Sequence, residues 1–319
     1  MLKITNDKDK RIREILKPQV SVNKEQYHMV IIQWFPGHMS KARRQVQENL
    51  KHVDLVMELV DARLPLSSRN PMLDKIIGTK PRLVIINKKD LGNDLETQKW
   101  VHYFEAQGIL AVKINSKEQQ TVKKLTKAAR LVLADKLQRA SERGIQNKAI
   151  RTMIIGIPNV GKSTLMNRLA GKKSAITGNR PGVTKGQQWL KTNEELEILD
   201  TPGILWPKFE DQTIGLKLAL TGAIKDDLIP KDEITIFALT FFSKDFPPEL
   251  KRRYNLTADD LELTVVDLIM LLTKKYGFRD DYDRFYDLFI KEVRDGKLGT
   301  YTLDIVSEMM QKDDEDGDD

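Results

Sequence analysis

Residues 156–163 read GIPNVGKS, and this stretch decides the fold. It follows an apolar run predicted as a strand at 150–155 and opens a predicted helix at 162–169, the context that a Walker A loop requires. Two glycines let the backbone wrap around phosphates, so that N–H groups and the helix N-terminus face the anion. The stretch therefore predicts a nucleotide phosphate site, with a plain glycine-rich turn as the alternative.

Within this loop, each polar side chain has an expected role. Lys162 would reach the β- and γ-phosphates as a catalytic group, and Ser163 would ligate Mg²⁺. The predicted contacts to the phosphates are Asn159, Val160, Gly161, Lys162, Ser163 and Thr164.

Two further loops downstream fit a magnesium-dependent switch. The sequence DTPG begins at Asp200, directly after a predicted strand at 196–199. Asp200 would hold Mg²⁺ through water, and the Gly203 N–H would meet the γ-phosphate. Between the two loops, Thr184 in RPGVT is the candidate for a second Mg²⁺-ligating hydroxyl. Taken alone, DTPG is also compatible with an ordinary turn.

The base is predicted from the motif NKKD at 87–90, which follows a predicted strand at 82–86. Ligands bind at the carboxyl ends of strands in open α/β sheets. Asp90 there can accept hydrogen bonds from N1–H and the exocyclic amine of guanine, and adenine lacks that donor pair. Asn87 and Lys88 belong to the same loop, and Ser116 in NSKE (115–118) would offer a backbone contact to the base oxygen. An ATP-dependent enzyme is therefore disfavoured.

In Ras-like GTPases the phosphate loop precedes the base loops. Here the base loops NKKD and NSKE come first, and the phosphate loop and DTPG follow. Further strands are predicted at 53–60 and 110–114, and helices at 40–52, 94–107 and 118–143. Strands alternating with helices indicate a mostly parallel sheet with helices on both faces. The helix at 118–143 would join what are the C-terminal and N-terminal ends of an unpermuted GTPase domain. The pattern therefore predicts a circularly permuted P-loop GTPase domain of the α/β class.

The strand signal fades after about residue 206, and a small all-α domain is predicted to follow. A helix opens at Thr257 and runs to about residue 276, and another spans 282–293 before Gly296. The expected organisation is an extension at 1–28, the GTPase domain at 29–208, a helical domain at 209–311 and an acidic disordered tail at 312–319.

Composition narrows the function classes further. The 319 residues include no cysteine and four histidines, which excludes disulfide partners and zinc sites built on cysteine. The longest apolar stretch, 234–242, is about half of a membrane span, and the N-terminus lacks a secretory core. The net charge is +7, although residues 311–319 alone carry six acidic side chains. A cytoplasmic protein with a polyanionic partner is expected, or else simply a solvated basic surface.

The motifs together resemble the YlqF/YawG-type circularly permuted GTPases. The resemblance rests on WFPGHM (34–39), DARLP (61–65), RNP (69–71), NKKD, GIPNVGKS and DTPGI, and it covers about residues 29–311. It implies a GTPase that binds GTP and Mg²⁺, binds the immature large ribosomal subunit late in its assembly and leaves after hydrolysis. It also implies a C-terminal RNA-binding, ANTAR-like bundle whose opening helix includes 219–224. We expect the protein to be a monomer.

Single residues add expectations to that resemblance. Ile204 occupies the place of the glutamine that orients water, so hydrolysis should be slow in isolation. The resemblance gives His38 the substitute catalytic role, with a structural turn residue as the alternative. Asn159 resembles the asparagine through which some GTPases bind K⁺, or it is a plain loop residue. WFPGHM is expected near an N-terminus, so Met29 is an alternative initiator.

A second function from a different class stays open at this point. GTP could set the affinity of an RNA-binding placeholder in which hydrolysis only permits release.

Overall fold

The structure, a computed structural model, describes residues 36–145, 149–171, 189–192, 195–199 and 211–309. Its strands are β1 (Leu55–Asp61), β2 (Arg82–Asn87), β3 (Leu110–Lys113), β4 (Ile150–Ile155), β5 (Trp189–Lys191) and β6 (Leu196–Leu199). Within these residues they form one sheet in the order β3-β2-β1-β4-β6-β5. Every pair is parallel except β5 with β6 at one edge. The predicted, mostly parallel sheet is confirmed.

Helices cover this sheet: α1 (Pro36–Leu50), α2 (Pro71–Ile77), α3 (Asp94–Ala106), α4 (Gln120–Val132), α5 (Ala134–Glu142) and α6 (Lys162–Ala170). All seven residues of β1 are buried, as in a central parallel strand with both faces covered. On β1, Val56 packs in a cluster with α1 and α2, and Val60 packs with Trp100 and Phe104 of α3. The next helix in the chain, α4, packs on β2 and β3.

The strand order reverses between β1 and β4, where P-loop proteins have the crevice that holds their ligand. Beyond β1 the sheet continues to β2 and β3, and beyond β4 it continues to β6 and β5. Such a reversal is a topological switch point, where open α/β sheets bind ligands. If β4 is counted as the first strand and β3 as the sixth, the order across the sheet becomes 6-5-4-1-3-2. The strand before the phosphate loop (β4) is then first, and the strands before NKKD and NSKE (β2 and β3) are last. This topology matches the predicted circular permutation.

Two predicted helices are each broken in the structure. The helix expected at 118–143 is divided into α4 and α5 at Leu133, whose φ of −105° and ψ of 16° leave the helical region. The helix expected at 257–276 is divided into α10 (Ala258–Leu261) and α11 (Val265–Lys275). The Thr264 side chain accepts a hydrogen bond from the Asp267 N–H and so begins the second of these helices.

The remaining helices are α7 (Gln212–Leu220), α8 (Lys231–Asp245), α9 (Pro247–Tyr254) and α12 (Tyr282–Arg294). The opening helix expected to include 219–224 ends at Leu220, and Gly222 beyond it has a left-handed φ of 73°. No helix among the described residues is long and apolar enough to cross a membrane, and the apolar run 234–242 lies within α8.

The chain divides into two compact units. The helical unit contains 210–220 and 225–299, and the sheet unit contains Thr221–Ile224 and the residues from Thr300 onward. The helical domain expected at 209–311 is therefore interrupted at 221–224 and ends near 299. The cause is specific hydrogen bonding within the sheet unit, such as Leu303 N–H to Arg63 O at 2.8 Å. The predicted extension at 1–28 and tail at 312–319 lie outside the described residues.

Candidate functional site

The phosphate-loop glycines are required by close approaches of the chain. A Cβ on Gly156 would stand 2.5 Å from the backbone oxygen of Leu59 in β1. A Cβ on Gly161 would stand 2.5 Å from the side-chain nitrogen of Asn87, and Gly161 has a φ of 102° that other residues rarely adopt. The loop at 156–163 is thus built against the ends of β1 and β2.

Asn87, the first residue of NKKD, joins three loops. Its Nδ2 donates to the Val160 carbonyl oxygen at 2.8 Å, inside the phosphate loop. Its Oδ1 accepts from the Ser116 N–H at 3.0 Å and from Ser116 Oγ at 2.7 Å, inside NSKE. Asn87 is 2% exposed, and both ends of its amide are hydrogen-bonded within the protein. The sequence-distant base and phosphate motifs therefore meet at one point.

Lys88 strengthens this junction. Its Nζ donates to the Asn159 carbonyl oxygen at 2.8 Å and pairs with Asp61 Oδ2 at 2.8 Å. Lys88 and Asn159 both have left-handed backbone angles, with φ of 58° and 59°. Left-handed conformation in residues other than glycine costs free energy and often marks a functional site.

Lys162 and Ser163 open α6 at the crevice. Lys162 Nζ donates to the carbonyl oxygens of Gly156 at 3.0 Å and Ile157 at 2.7 Å, so the ammonium group lies inside the loop. Ser163 and Thr164 are half-buried in the first turn of α6, where the backbone N–H groups of a helix N-terminus and the helix dipole favour an anion. This cradle fits a nucleotide phosphate, and Ser163 is the hydroxyl residue in this turn that could hold a hard cation such as Mg²⁺.

Of the two residues expected to contact the base, one is exposed and the other is buried. Asp90 is exposed beyond β2, where its carboxylate can meet a ligand. Ser116 is buried, and its N–H, expected to contact the base oxygen, donates to Asn87 in this structure. Arg168 of α6 donates to the backbone oxygens of Ser116 (3.4 Å) and Lys117, which ties the phosphate helix to the NSKE loop.

Asn159, the candidate K⁺ ligand, has a defined side-chain contact. Its Nδ2 donates to the Gly222 carbonyl oxygen at 2.8 Å. His38, the candidate catalytic histidine, lies within helix α1, near its N-terminus, and not in a loop before the helix. The helix therefore begins at Pro36, earlier than the predicted start at 40. Thr184, Asp200 and Gly203 lie outside the described residues, so their expected contacts stay predictions.

Asp61 and Arg63 are site residues for which the sequence predicted no role. Asp61 ends β1 at the switch point and is 3% exposed, and Arg63 Nη2 pairs with its Oδ2 at 2.8 Å. Burial alone would raise the pKa of Asp61, but the charges and hydrogen bonds of Arg63 and Lys88 outweigh it and lower the pKa. The available signal was position, because Asp61 ends a buried strand beside the strand that Asn87 ends.

Sequence comparison identifies relatives of the chain. A family model described as 50S ribosome-binding GTPase matches residues 151–236, which include the phosphate loop. Ribosome biogenesis GTPase A of Bacillus cereus is 50% identical over 284 residues, covering 88% of this chain and 95% of that protein.

Structural comparison finds neighbours with the same architecture. The GDP-bound structure of TM YlqF has a TM-score of 0.61 and 26% identity, covering 83% of this chain and 100% of that one. The crystal structure of GNP-bound YlqF from T. maritima has a TM-score of 0.57 and 27% identity, covering 83% and 98% of the two chains.

Proposed function

This chain belongs to the ribosome biogenesis GTPase A family, and from that membership we propose that it promotes a late step in assembly of the large ribosomal subunit. Bound to GTP, it holds the immature subunit, and hydrolysis to GDP and phosphate drives its release. The observation that supports this best is Asn87, which links the phosphate loop at Val160 to the base loop at Ser116. A loop that reads guanine is thereby fixed to a loop that holds phosphates.

Each candidate side chain takes one role in this proposal. Lys162 stabilises charge on the β- and γ-phosphates, and Ser163, Thr184 and Asp200 hold Mg²⁺. Asp90 reads guanine, and the Gly203 N–H senses the γ-phosphate. K⁺ binds beside Asn159, and His38 orients the water that Ile204 leaves unpositioned. Because that arrangement is incomplete in the isolated protein, the subunit stimulates turnover.

A ribosomal RNA partner is supported by the charge of one helix as well as by membership of the family. Gln120–Val132, the helix α4, contains four basic residues and no acidic one. Such a surface favours a phosphate backbone through release of counterions. We place a second RNA-binding surface on the helical unit at 225–299, and we expect the protein to act as a monomer in the cytoplasm.

One experiment tests base choice and subunit binding together. The substitution Asp90→Asn presents an amide donor where guanine needs an acceptor, so xanthine nucleotides should replace guanine nucleotides. Binding to immature large subunits would then require a non-hydrolysable XTP analogue instead of the GTP analogue. Turnover of XTP by the variant should rise on adding subunits, as turnover of GTP does for the wild type.

Asp135→Asn, on an exposed residue of α5, is the matched control and should keep the guanine preference. Unchanged GTP affinity in Asp90→Asn would show that Asp90 does not read the base. Equal wild-type turnover with and without subunits would contradict stimulation. Subunit maturation by a GTP-bound variant that cannot hydrolyse would favour the placeholder function instead.

A further inference from the structure

A buried ion pair at the end of β1 reaches the phosphate loop by two separate routes. Asp61 accepts hydrogen bonds from Arg63 through Nε at 3.0 Å and Nη2 at 2.8 Å. The same carboxylate pairs with Lys88 Nζ at 2.8 Å. Asp61 and Arg63 are 3% and 2% exposed, so both charges depend on each other rather than on water.

The first route runs through Lys88. With its ammonium group held by Asp61, Lys88 donates to the backbone oxygen of Asn159 at 2.8 Å. Lys88 itself has a left-handed backbone, which the surrounding contacts must stabilise. Asp61 therefore fixes the main chain of the phosphate loop at Asn159.

The second route runs through the segment 221–224, which belongs to the sheet unit. Arg63 Nη2 donates to the backbone oxygen of Thr221 at 3.3 Å. The next carbonyl oxygen, on Gly222, accepts from Asn159 Nδ2 at 2.8 Å. The two routes thus form a closed ring that starts and ends at Asn159, once at its backbone and once at its side chain.

The second route also orients the amide of Asn159. A side-chain amide has a donating nitrogen and an accepting oxygen. Because the nitrogen is engaged by Gly222, Oδ1 is the end that faces away from that carbonyl. Oxygen ligands are the ones that hard cations prefer, so Oδ1 is the end of the amide that this contact leaves available to a cation.

We propose that Asp61 and Arg63 are positioning residues of the nucleotide site, which hold the backbone and the amide of Asn159 through Lys88 and the 221–224 segment. Neither residue touches the nucleotide. They set nucleotide affinity by fixing the shape of the loop, and they set the cation preference of hydrolysis by orienting the amide. The second effect rests on the K⁺ site of the proposed function, whereas the first does not.

The test is Arg63→Lys, which keeps a positive charge beside Asp61 but cannot also reach Thr221. The matched control is Arg69→Lys. Arg69 is likewise largely buried, and it pairs with Glu58 in β1 and with Asp74, neither of which belongs to the ring. Affinity for a fluorescent GDP analogue, Tm, and the ratio of GTP turnover in KCl to that in NaCl would be measured for each protein.

We expect Arg63→Lys to weaken GDP binding by about fivefold to tenfold and to lower the KCl-to-NaCl ratio. Arg69→Lys should lower Tm to a similar extent while GDP affinity changes by less than about twofold. Asn159→Ala opens the ring at its other end, so Arg63→Lys combined with it should weaken binding no further than Asn159→Ala alone. If Arg63→Lys does not fold, Asp61→Asn is measured instead. It opens both routes, so it should weaken GDP binding at least as much as Asn159→Ala does, and wild-type GDP affinity in it would overturn the positioning role.

Wild-type GDP affinity in Arg63→Lys, or additive losses in the double variant, would overturn the positioning role. Those results are distinguishable from failure of the proposed function. A wild-type protein that binds GDP but shows no preference for KCl contradicts the K⁺ site alone, and the affinity comparison still decides whether the ring acts.

Discussion

At the scale of single residues, Gly161 is the position where the smallest change should have the largest effect. A methyl group there would stand 2.5 Å from Asn87 Nδ2 and would strain a backbone at φ 102°. Gly161→Ala should displace the Asn87 side chain, break its bond to Val160 and lower GTP affinity by roughly a hundredfold, about 2.7 kcal/mol. Isothermal titration with GTP and Mg²⁺ measures the loss.

Gly171, at the other end of α6, supplies the control for that prediction. It also has a left-handed φ, of 66°, but a Cβ there would meet nothing within 4 Å. Gly171→Ala should cost about 1 kcal/mol of stability through backbone strain and leave GTP affinity unchanged. Equal affinity losses in the two variants would mean that strain, not the approach to Asn87, governs the site.

The sequence singled out residues of the candidate site but not the contacts between them. Local motifs pointed to Asn87 and Lys162 because the spacing of residues within a loop is itself the signal. The bond from Asn87 to Val160 spans 73 residues, and the Gly222 contact of Asn159 spans 63. Such pairings depend on how strands and loops assemble, and no local pattern encodes them.

At the scale of elements, α4 has the most basic side chains among the described helices of the sheet unit, and it has no acidic one. Lys123, Lys127 and Arg130 lie at helical spacing on its exposed side. Neighbouring Lys124 has its pKa lowered by partial burial and by the positive charges of Lys89 and Lys113. The surface around α4 therefore carries positive charge that this helix itself does not neutralise.

Charge reversal on this helix should weaken binding to the large subunit. Lys123→Glu combined with Lys127→Glu is expected to lower affinity for immature subunits at least about tenfold near 0.1 M salt. The slope of log affinity against log salt should fall by about 0.9 for each RNA phosphate that the variant no longer neutralises. Sedimentation with subunits over a salt series measures both quantities.

The control makes the same change of charge on α2 and α3, through Lys75→Glu and Lys99→Glu. A matching loss of affinity there would mean that overall charge, not the α4 surface, drives association. GTP affinity should stay at the wild-type value in both double variants, because none of the four lysines lies in the nucleotide loops.

Elements were predicted well where burial sets the pattern of apolar residues. They were predicted poorly where a helix is broken without a clear signal in the sequence. The apolar runs of β1 and β4 are visible because both strands are buried. The break at Leu133 has no glycine or proline to signal it, so the two amphipathic helices α4 and α5 were predicted as one. The break before α11 had a signal in Thr264 and Asp267, a capping pair inside a run that still looked helical.

At the scale of the whole molecule, the segment after the helical unit completes the sheet unit. Buried Asp304 accepts from the Leu66 N–H at 2.9 Å and from both Ser67 N–H and Oγ at 2.6 Å. Its backbone oxygen accepts from Trp100 Nε1 at 2.8 Å. Sequence reasoning assigned this segment to the helical domain because it follows those helices along the chain.

Asp304→Ala should destabilise the sheet unit by about 2–4 kcal/mol, because the backbone N–H groups of Leu66 and Ser67 and the buried Ser67 hydroxyl lose their acceptor. The thermal transition that GDP shifts upward reports on this unit and should move to lower temperature. Asp295→Ala, on an exposed residue just after α12, should leave that transition in place. An unchanged transition in Asp304→Ala would show that the segment is not part of the cooperative unit.

This return of the chain also has a consequence for the time course of translation. The loop that begins with Asp61 emerges early from the ribosome, but the hydrogen-bond partner that Asp304 supplies to it emerges only after the whole helical unit. The roughly 80 residues between 221 and 300, made at about 5–20 residues per second, impose a delay of several seconds. During that interval a nascent chain already contains the phosphate loop but not yet the segment from residue 300 onward that completes the sheet unit. We therefore expect GTP binding to be a property of nearly finished chains, which would keep unfinished ones from competing for immature subunits.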